Sequence, residues 1–312
     1  ALLKSGARLA RPGEFTQRAF LNRKLDLSQA EAVADLIASQ SAAQHRLAMQ
    51  QLRGGFGARI EDLRQQLIDF AAQIELELDF SEEDVEFAKR GELRVLVDHL
   101  IDLCGGLIDS FRYGNAVRQG VPVAIVGAPN SGKSTLLNSL LNEDRAIVSD
   151  IPGTTRDTVE ETMTIGGVLF RFIDTAGLRK TTDTIEKLGI ERSYKKAGEA
   201  SIVVLLGDAA IVAEGALRTE AILLRERIGP EPLVIPVLNN CDTAPLLPPT
   251  TDTNALLRIS AKRGQGLEAL KETFVAHVQG MQAGPGDIVV TNARHVDALT
   301  KARSALIDAK QA

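Results

Sequence analysis

The chain has 312 residues, of which 44% are hydrophobic, and its formal net charge of −5 does not by itself indicate a nucleic-acid partner. Single hydrophobic cores rarely exceed roughly 250–300 residues, so the length favours two domains, while the lack of a long apolar run excludes a membrane-spanning helix. The two cysteines, Cys104 and Cys241, form neither a CxxC pair nor a metal-ligand cluster, and with no secretory pattern at the start we expect a cytoplasmic protein.

Residues 1–24 are strongly basic, with six lysine and arginine side chains against a single glutamate, Glu14. A solvated face and an anion-binding segment are both open interpretations of this stretch. Residues 25–115 predict long helices, because apolar residues recur at helical spacing and no proline interrupts them. The S-x-x-E spacing of Ser28 and Glu31 predicts a capping box at the start of the first of these helices.

The pattern changes at Val121, where short apolar runs begin to alternate with helical segments. These runs lie at 121–126, 168–173, 202–206 and 233–238, with a further short strand at 256–260. Such alternation is typical of a mostly parallel sheet with crossover helices on both faces. A helix at 267–279, a Gly/Pro-rich linker at 280–286 and a last helix at 293–309 follow. We therefore predict an α/β domain inserted into an all-α helical domain.

The strongest motif is the segment Gly127–Ser134, which matches G-x4-G-K-[ST] between a predicted strand and a predicted helix. Its glycines allow successive backbone N–H groups to point at phosphate oxygens, and the helix N-terminus adds its dipole. Lys133 is expected to contact the β- and γ-phosphates, and Ser134 to bind Mg²⁺. The α/β domain is thus predicted to be a P-loop nucleotide hydrolase. Its predicted contacts here are Asn130, Ser131, Gly132, Lys133, Ser134 and Thr135.

Two segments after this loop predict contacts to the γ-phosphate and Mg²⁺. A D-x-x-G motif follows the strand at 168–173 and consists of Asp174, Thr175, Ala176 and Gly177. The preceding loop is interpreted as switch I, in which Thr155 is a better Mg²⁺ ligand candidate than Thr154. The predicted contacts in the segment 153–157 are Gly153, Thr154 and Thr155. Leu178 takes the place of the glutamine that orients water in Ras-like proteins, so hydrolysis requires another water-positioning group.

Two further segments predict guanine as the base. Residues 239–242 lie where GTPases place N-K-x-D, and Asp242 can accept from guanine N1–H and N2–H₂, a donor pair that adenine lacks. Residues 260–262 match the S-A-K segment that contacts the guanine O6. Asn240 replaces the usual lysine, which leaves open a degenerate domain that binds nucleotide without turnover. The predicted base contacts are Asn239, Asp242, Ser260, Ala261 and Lys262.

Two stretches outside the α/β domain resemble the tRNA-modification GTPase family known as MnmE or TrmE. Residues 11–37, beginning R-P-G-E-F-T-Q-R, resemble that family's junction between its folate-binding and helical domains. Residues 291–295, T-N-A-R-H, resemble its return into the helical domain after the inserted G domain. The nucleotide motifs alone also allow an Era- or Der-like GTP-dependent RNA- or ribosome-binding switch, with the basic N-terminal segment as its contact.

The resemblance covers nearly the whole chain and implies a domain layout. Residues 1–24 would end the N-terminal folate-binding domain, 25–118 would begin the helical domain, 119–280 would form the G domain and 281–312 the helical return. It also implies that most of the N-terminal domain and a Cys-x-Gly-Lys tail lie outside this sequence.

The resemblance further implies cofactors, partners and catalytic roles. The family uses Mg²⁺, with K⁺ as activator at a dimerised G-domain face, where the matching K⁺ ligands are Asn130, Ser149, Ile151 and Thr154. The resemblance also extends the predicted switch I contacts to Ser149, Asp150, Ile151 and Pro152. Glu186 matches the water-positioning glutamate of the family and, together with Lys133 and Thr155, makes up the implied catalytic residues. Lys24 matches a contact to 5-formyltetrahydrofolate or a related folate. A homodimer is implied to act with the MnmG (GidA) flavoprotein on the wobble uridine of tRNA.

Overall fold

The computed structural model describes residue 4 and residues 6–79, 90–143, 161–173, 196–243, 256–281 and 288–311. The chain divides into two compact units, one formed by Ala1–Arg118 with Ala283–Ala312 and the other by Gln119–Gln282. Among the described helices, none combines the length and apolar character that a bilayer crossing requires. In chain order the elements are α1 (Glu14–Leu21), α2 (Leu27–Ala38), α3 (Ala42–Leu52), α4 (Gly55–Asp79), α5 (Arg90–Gln119), β1 (Val121–Val126), α6 (Lys133–Glu143), β2 (Glu161–Ile165), β3 (Val168–Phe172), β4 (Ile202–Asp208), α7 (Glu214–Ile228), β5 (Leu233–Asn239), β6 (Leu257–Arg258), α8 (Leu267–Gly280) and α9 (Ala293–Gln311).

The first unit is helical, and the start of α2 differs from the sequence-based prediction. Asp26, not Ser28, is its N-cap, because the Asp26 carboxylate accepts from the Gln29 N–H at 2.7 Å while the Gln29 side chain accepts from the Asp26 N–H at 2.9 Å. The Glu31 carboxylate instead accepts from Arg294 at 2.9 Å. The capping box predicted at Ser28 and Glu31 was therefore wrong by two residues.

The segment before α9 docks closely on α5. The Val290 N–H donates to the Ser110 hydroxyl at 3.0 Å, and a side chain at Gly114 would overlap the Val290 carbonyl. This close approach buries Cys104 and Leu107 of α5 together with residues 290 and 299 in one apolar cluster. The glycine thus permits the last helical segment to join the core of the first unit.

The second unit contains a six-stranded sheet in the order β2-β3-β1-β4-β5-β6. All neighbouring pairs are parallel except β2 with β3, which is antiparallel. The predicted mostly parallel sheet is confirmed, whereas the edge strand β2 was missed because its sequence, E-T-M-T-I, alternates polar and apolar residues over only five positions. Phe170 of β3 packs on Phe274 of α8 with ring centroids 5.6 Å apart, and Leu217 of α7 joins the cluster around Val203 and Leu205 of β4.

The parallel arrangement places functional segments at one edge of the sheet. The carboxyl ends of β1, β5 and β6 lie together because these strands run in the same direction. Ligands of open α/β sheets bind outside this edge, where the connecting loops meet. The loop after β1, the turn after β5 and the turn after β6 are the segments that the sequence predicts to bind nucleotide.

Candidate nucleotide site

The loop between β1 and α6 has a backbone that requires glycine at two positions. Gly127 and Gly132 have φ of 149° and 94°, and a Cβ at either would overlap a neighbour, the Leu206 carbonyl or the Asn239 amide respectively. The first bond of α6 runs from the Leu136 N–H to the Gly132 carbonyl at 2.8 Å. The loop therefore curls tightly against the ends of β4 and β5 and turns directly into a helix N-terminus, a geometry suited to phosphate.

Lys133 folds back over this loop. Its ammonium donates to the Gly127 carbonyl at 2.9 Å and to the Ala128 carbonyl at 2.7 Å. Burial lowers the pKa of Lys133, because the half-buried position disfavours the charged form. A phosphate placed in the loop would oppose this effect by supplying an opposite charge at the same position.

The hydroxyls of the loop fit a phosphate and a hard cation. Ser131 is only 2% exposed, and its hydroxyl has no hydrogen-bond partner within the described parts of the chain. A buried hydroxyl without an acceptor is uncommon, and an anion in the loop would supply one. Ser134 and Thr135 lie in the first turn of α6, where a hydroxyl oxygen is a suitable Mg²⁺ ligand.

Asn239 joins the phosphate loop to the predicted base-recognition segment. Its amide nitrogen donates to the Ser131 carbonyl at 3.0 Å, and its amide oxygen accepts from the Ala261 N–H at 2.9 Å. The residue is 1% exposed, so both ends of the side chain are engaged inside the protein. This geometry makes Asn239 a brace between the two loops, and the prediction of a direct contact to the nucleotide stays a prediction.

Asp242 is held by two neighbours. One carboxylate oxygen accepts from the Ser260 hydroxyl at 3.2 Å, and the other lies 3.3 Å from Nε of Arg263. Each carboxylate oxygen has two lone-pair directions, so each keeps one for the adjacent N1–H and N2–H₂ of guanine. Sequence reasoning missed Arg263, although an arginine directly after the S-A-K segment was a readable signal.

The backbone conformation at position 240 suits asparagine better than lysine. Its φ is 62°, in the left-handed region that asparagine tolerates better than most other residues. The turn that carries Asp242 therefore begins with a residue suited to its conformation. The cation next to Asp242 in this structure comes from Arg263, on the neighbouring turn, and not from position 240.

Two further predicted site residues are exposed, and others lie outside the described residues. Lys24 is exposed just after α1, and Asn130 is exposed in the phosphate loop with a φ of 63°. Part of the basic N-terminal charge is paired, because Arg8 and Arg18 both contact Glu14, and Arg8 above all lowers the Glu14 pKa to about 2. In the described ranges, no group of three or more His, Cys, Asp or Glu side chains is placed to hold a metal. The predicted residues outside the described ranges are Ser149, Asp150, Ile151, Pro152, Gly153, Thr154, Thr155, Asp174, Thr175, Ala176, Gly177, Leu178 and Glu186.

Comparison with known proteins shows that nearly the whole chain is similar to one family. A family model described as the MnmE helical domain matches residues 27–312. The tRNA modification GTPase MnmE of Bacteroides thetaiotaomicron is 51% identical over 319 residues, which cover 98% of this chain and 67% of that protein. The MnmE of Parabacteroides distasonis is 51% identical over 316 residues, with the same coverage of both chains. A solved structure, the G domain of the T. maritima FeoB iron transporter, is 27% identical over 51% of this chain and 99% of its own, with a TM-score of 0.35.

Proposed function

The chain belongs to the MnmE family of tRNA modification GTPases and is a GTP hydrolase, and we propose that its turnover is stimulated by K⁺ through dimerised G domains. The observation that carries the nucleotide site is the Asn239 side chain, which joins Ser131 of the phosphate loop to Ala261 of the base loop. Phosphate and base contacts are thereby held at a common edge of the sheet. Family membership also sets aside the Era- or Der-like switch that the nucleotide motifs alone left open.

At the phosphate end, the loop backbone and Lys133 bind the β- and γ-phosphates. Ser134 and Thr155 hold Mg²⁺, which when bound neutralises charge on the phosphates. We assign the positioning of the attacking water to Glu186, which matches the water-positioning glutamate of the family, since Leu178 cannot play that part. The phosphate contact of Lys133 is supported by the fold of the loop and by the position of Lys133 over it. The remaining GTP contacts that we propose are Asn130, Thr135, Ser149, Asp150, Ile151, Pro152, Gly153, Thr154, Asp174, Thr175, Ala176 and Gly177.

At the base end, Asp242 selects guanine. The carboxylate is oriented by Ser260 and Arg263 and keeps acceptor directions for the two guanine donors. Ala261 and Lys262 border the position of the guanine O6. In this proposal Asn240 shapes the turn, and Arg263 helps to hold Asp242 in place.

K⁺ would be held by Asn130, Ser149, Ile151 and Thr154 at the face where two G domains meet. Asn130 supports this because its amide is exposed on the phosphate loop, where an oxygen ligand can approach the transferring phosphate. A cation there stabilises the charge that develops during transfer.

We expect faster GTP hydrolysis in KCl than in NaCl at matched ionic strength. Asn130→Ala should reduce the ratio of the two rates by about tenfold or more. Steady-state phosphate release, with protein above the dimerisation range, is the measurement. Asn138→Ala, an exposed asparagine of α6, is the matched control and should keep the response to K⁺. Equal wild-type rates in the two salts would contradict the proposal.

Glu186→Ala should lower kcat by more than tenfold with little change in GDP affinity, because a water-positioning carboxylate acts in the chemical step and not in ground-state binding. Single-turnover hydrolysis together with equilibrium GDP titration separates the two effects. Glu220→Ala, an exposed glutamate of α7, controls for the change in charge. Unchanged turnover in the Glu186 variant would remove this residue from the mechanism.

We propose four domain segments: the end of a folate-binding domain at 1–24, the first part of the helical domain at 25–118, the G domain at 119–280 and the helical return at 281–312. We further propose a cytoplasmic homodimer that acts with an MnmG-type flavoprotein on the C5 position of the tRNA wobble uridine. The two buried free thiols support a reducing compartment. Lys24 would contact 5-formyltetrahydrofolate or a related folate, which its exposed position after α1 permits.

A further inference from the structure

We propose that Ser139, a residue outside every nucleotide motif of the sequence, positions the base-recognition loop 260–262 for guanine. This inference rests on the proposed function, because it takes the guanine to lie between Asp242 and this loop. Ser139 is a positioning residue in this proposal, since it acts on the base through Ala261 and touches no part of the nucleotide itself.

The contact that carries the inference joins α6 to the loop after β6. The Ser139 hydroxyl donates to the Ala261 carbonyl at 2.6 Å. Ala261 is 1% exposed, and its N–H donates to the Asn239 side chain at 2.9 Å. Both backbone polar groups of this buried residue are therefore held by side chains, one from α6 and one from the end of β5.

The loop itself is a compact turn held together by its own backbone hydrogen bonds. Ser260 and Gln265 exchange backbone hydrogen bonds of 3.0 and 3.2 Å, and the Arg263 N–H donates to the Ser260 carbonyl at 3.1 Å. These bonds set the shape of residues 260–265 but do not attach the turn to α6. That attachment is made at Ala261, so loosening it displaces Ser260 and Arg263, the two residues that hold Asp242.

Helix α6 is well placed to transmit this constraint. It begins with Lys133 and Ser134 at the phosphate loop, and Leu136 and Leu140 fix it with side chains that are fully buried. Serine has a lower helix propensity than alanine, so helix formation alone gives no reason for a hydroxyl at position 139. Its contribution is to satisfy a buried carbonyl, which a change to alanine would leave without this donor.

Ser139→Ala should raise the Kd for GDP about three- to tenfold, because a loop without this tether must be ordered when GDP binds, at a cost bounded by the worth of one neutral hydrogen bond. The Ki of pyrophosphate, which contacts the phosphate loop alone, should stay unchanged in competition with fluorescent N-methylanthraniloyl-GDP. Ser139→Thr keeps the hydroxyl and should return the GDP Kd to within about twofold of the original. Calorimetric stoichiometry separates a weaker site from a smaller folded fraction, because partial unfolding lowers the number of sites and leaves their Kd unchanged.

Thr219→Ala is the matched control, since the Thr219 hydroxyl donates at 2.9 Å to Gly215 of its own helix, α7. This variant should bind GDP like the original chain. Two results would overturn the inference: an unchanged GDP Kd in Ser139→Ala, or an equal loss of GDP and pyrophosphate binding. Failure of the underlying site is distinguishable, because GDP binding that survives Asp242→Asn would show that the base does not lie at Asp242, whatever the Ser139 variants do.

Discussion

Replacing Asp242 with asparagine is expected to weaken GDP binding by at least about 100-fold, because two hydrogen bonds to a charged acceptor are lost or weakened together. The carboxylate is held by Ser260 at 3.2 Å and Arg263 at 3.3 Å, so its orientation toward the base is set before nucleotide binds. An asparagine amide keeps one acceptor oxygen but presents a donor nitrogen to the guanine N2–H₂, which is itself a donor.

The same substitution should create affinity for xanthine nucleotides. Xanthine has a carbonyl where guanine has the N2 amine, and the new amide nitrogen can donate to it. Parallel titrations with GDP and XDP measure the loss and the gain. Asp208→Asn is the matched control at the same sheet edge, because Asp208 accepts from the Ala210 N–H at 2.9 Å and an asparagine oxygen can do the same. Wild-type affinity for GDP without any gain for XDP would place the base elsewhere.

Replacing Gly132 with alanine is expected to abolish measurable GDP binding at micromolar nucleotide and to destabilise the second unit. The φ of 94° is strained for any residue with a Cβ, which costs roughly 1–3 kcal/mol. The new methyl would also overlap the Asn239 amide, and displacing that amide breaks its bond to the Ser131 carbonyl. A buried amide left without its partner adds about 1–3 kcal/mol.

Circular dichroism during thermal unfolding and a GDP titration measure the two consequences of Gly132→Ala. Gly215→Ala is the matched control, because Gly215 lies in the first turn of α7 with open space around its Cα. We expect this control to bind GDP normally and to be slightly stabilised, as alanine restricts the unfolded chain. A Gly132 variant with ordinary stability and affinity would mean that the loop and Asn239 separate easily.

Asn240 illustrates how a motif comparison and a structure weigh the same residue differently. The second residue of the N-K-x-D motif is lysine, so Asn240 departs from the motif, and the sequence alone leaves open that the chain binds nucleotide weakly. In the fold Asn240 has a left-handed φ of 62°, and Arg263 places a guanidinium beside Asp242 from a turn 21 positions further along the chain. The arginine after the S-A-K segment is visible in the sequence, but its contact with Asp242 forms only when β6 pairs with β5 and brings the two turns together.

Features encoded by neighbouring residues were predictable here, namely the mostly parallel sheet, the long helices and the tight G-x4-G-K-[ST] loop between a strand and a helix. Each depends on hydrophobic period or on motif spacing within a short segment. The capping box at Asp26 was missed by two residues, because Asp and Ser are comparable N-caps and Gln29 completes the box at Asp26 as well as a glutamate would at the later position.

The connections that turn separate motifs into one site arose from chain packing. Asn239 contacts Ser131 across 108 positions of sequence, and Ser139 contacts Ala261 across 122. Such contacts have no local signature, since hydrogen-bond partners depend on which buried surfaces meet after the strands have paired. The sequence thus identified the loops that we propose to bind guanine nucleotide, and the parallel order of β1, β4, β5 and β6 determined how those loops brace one another.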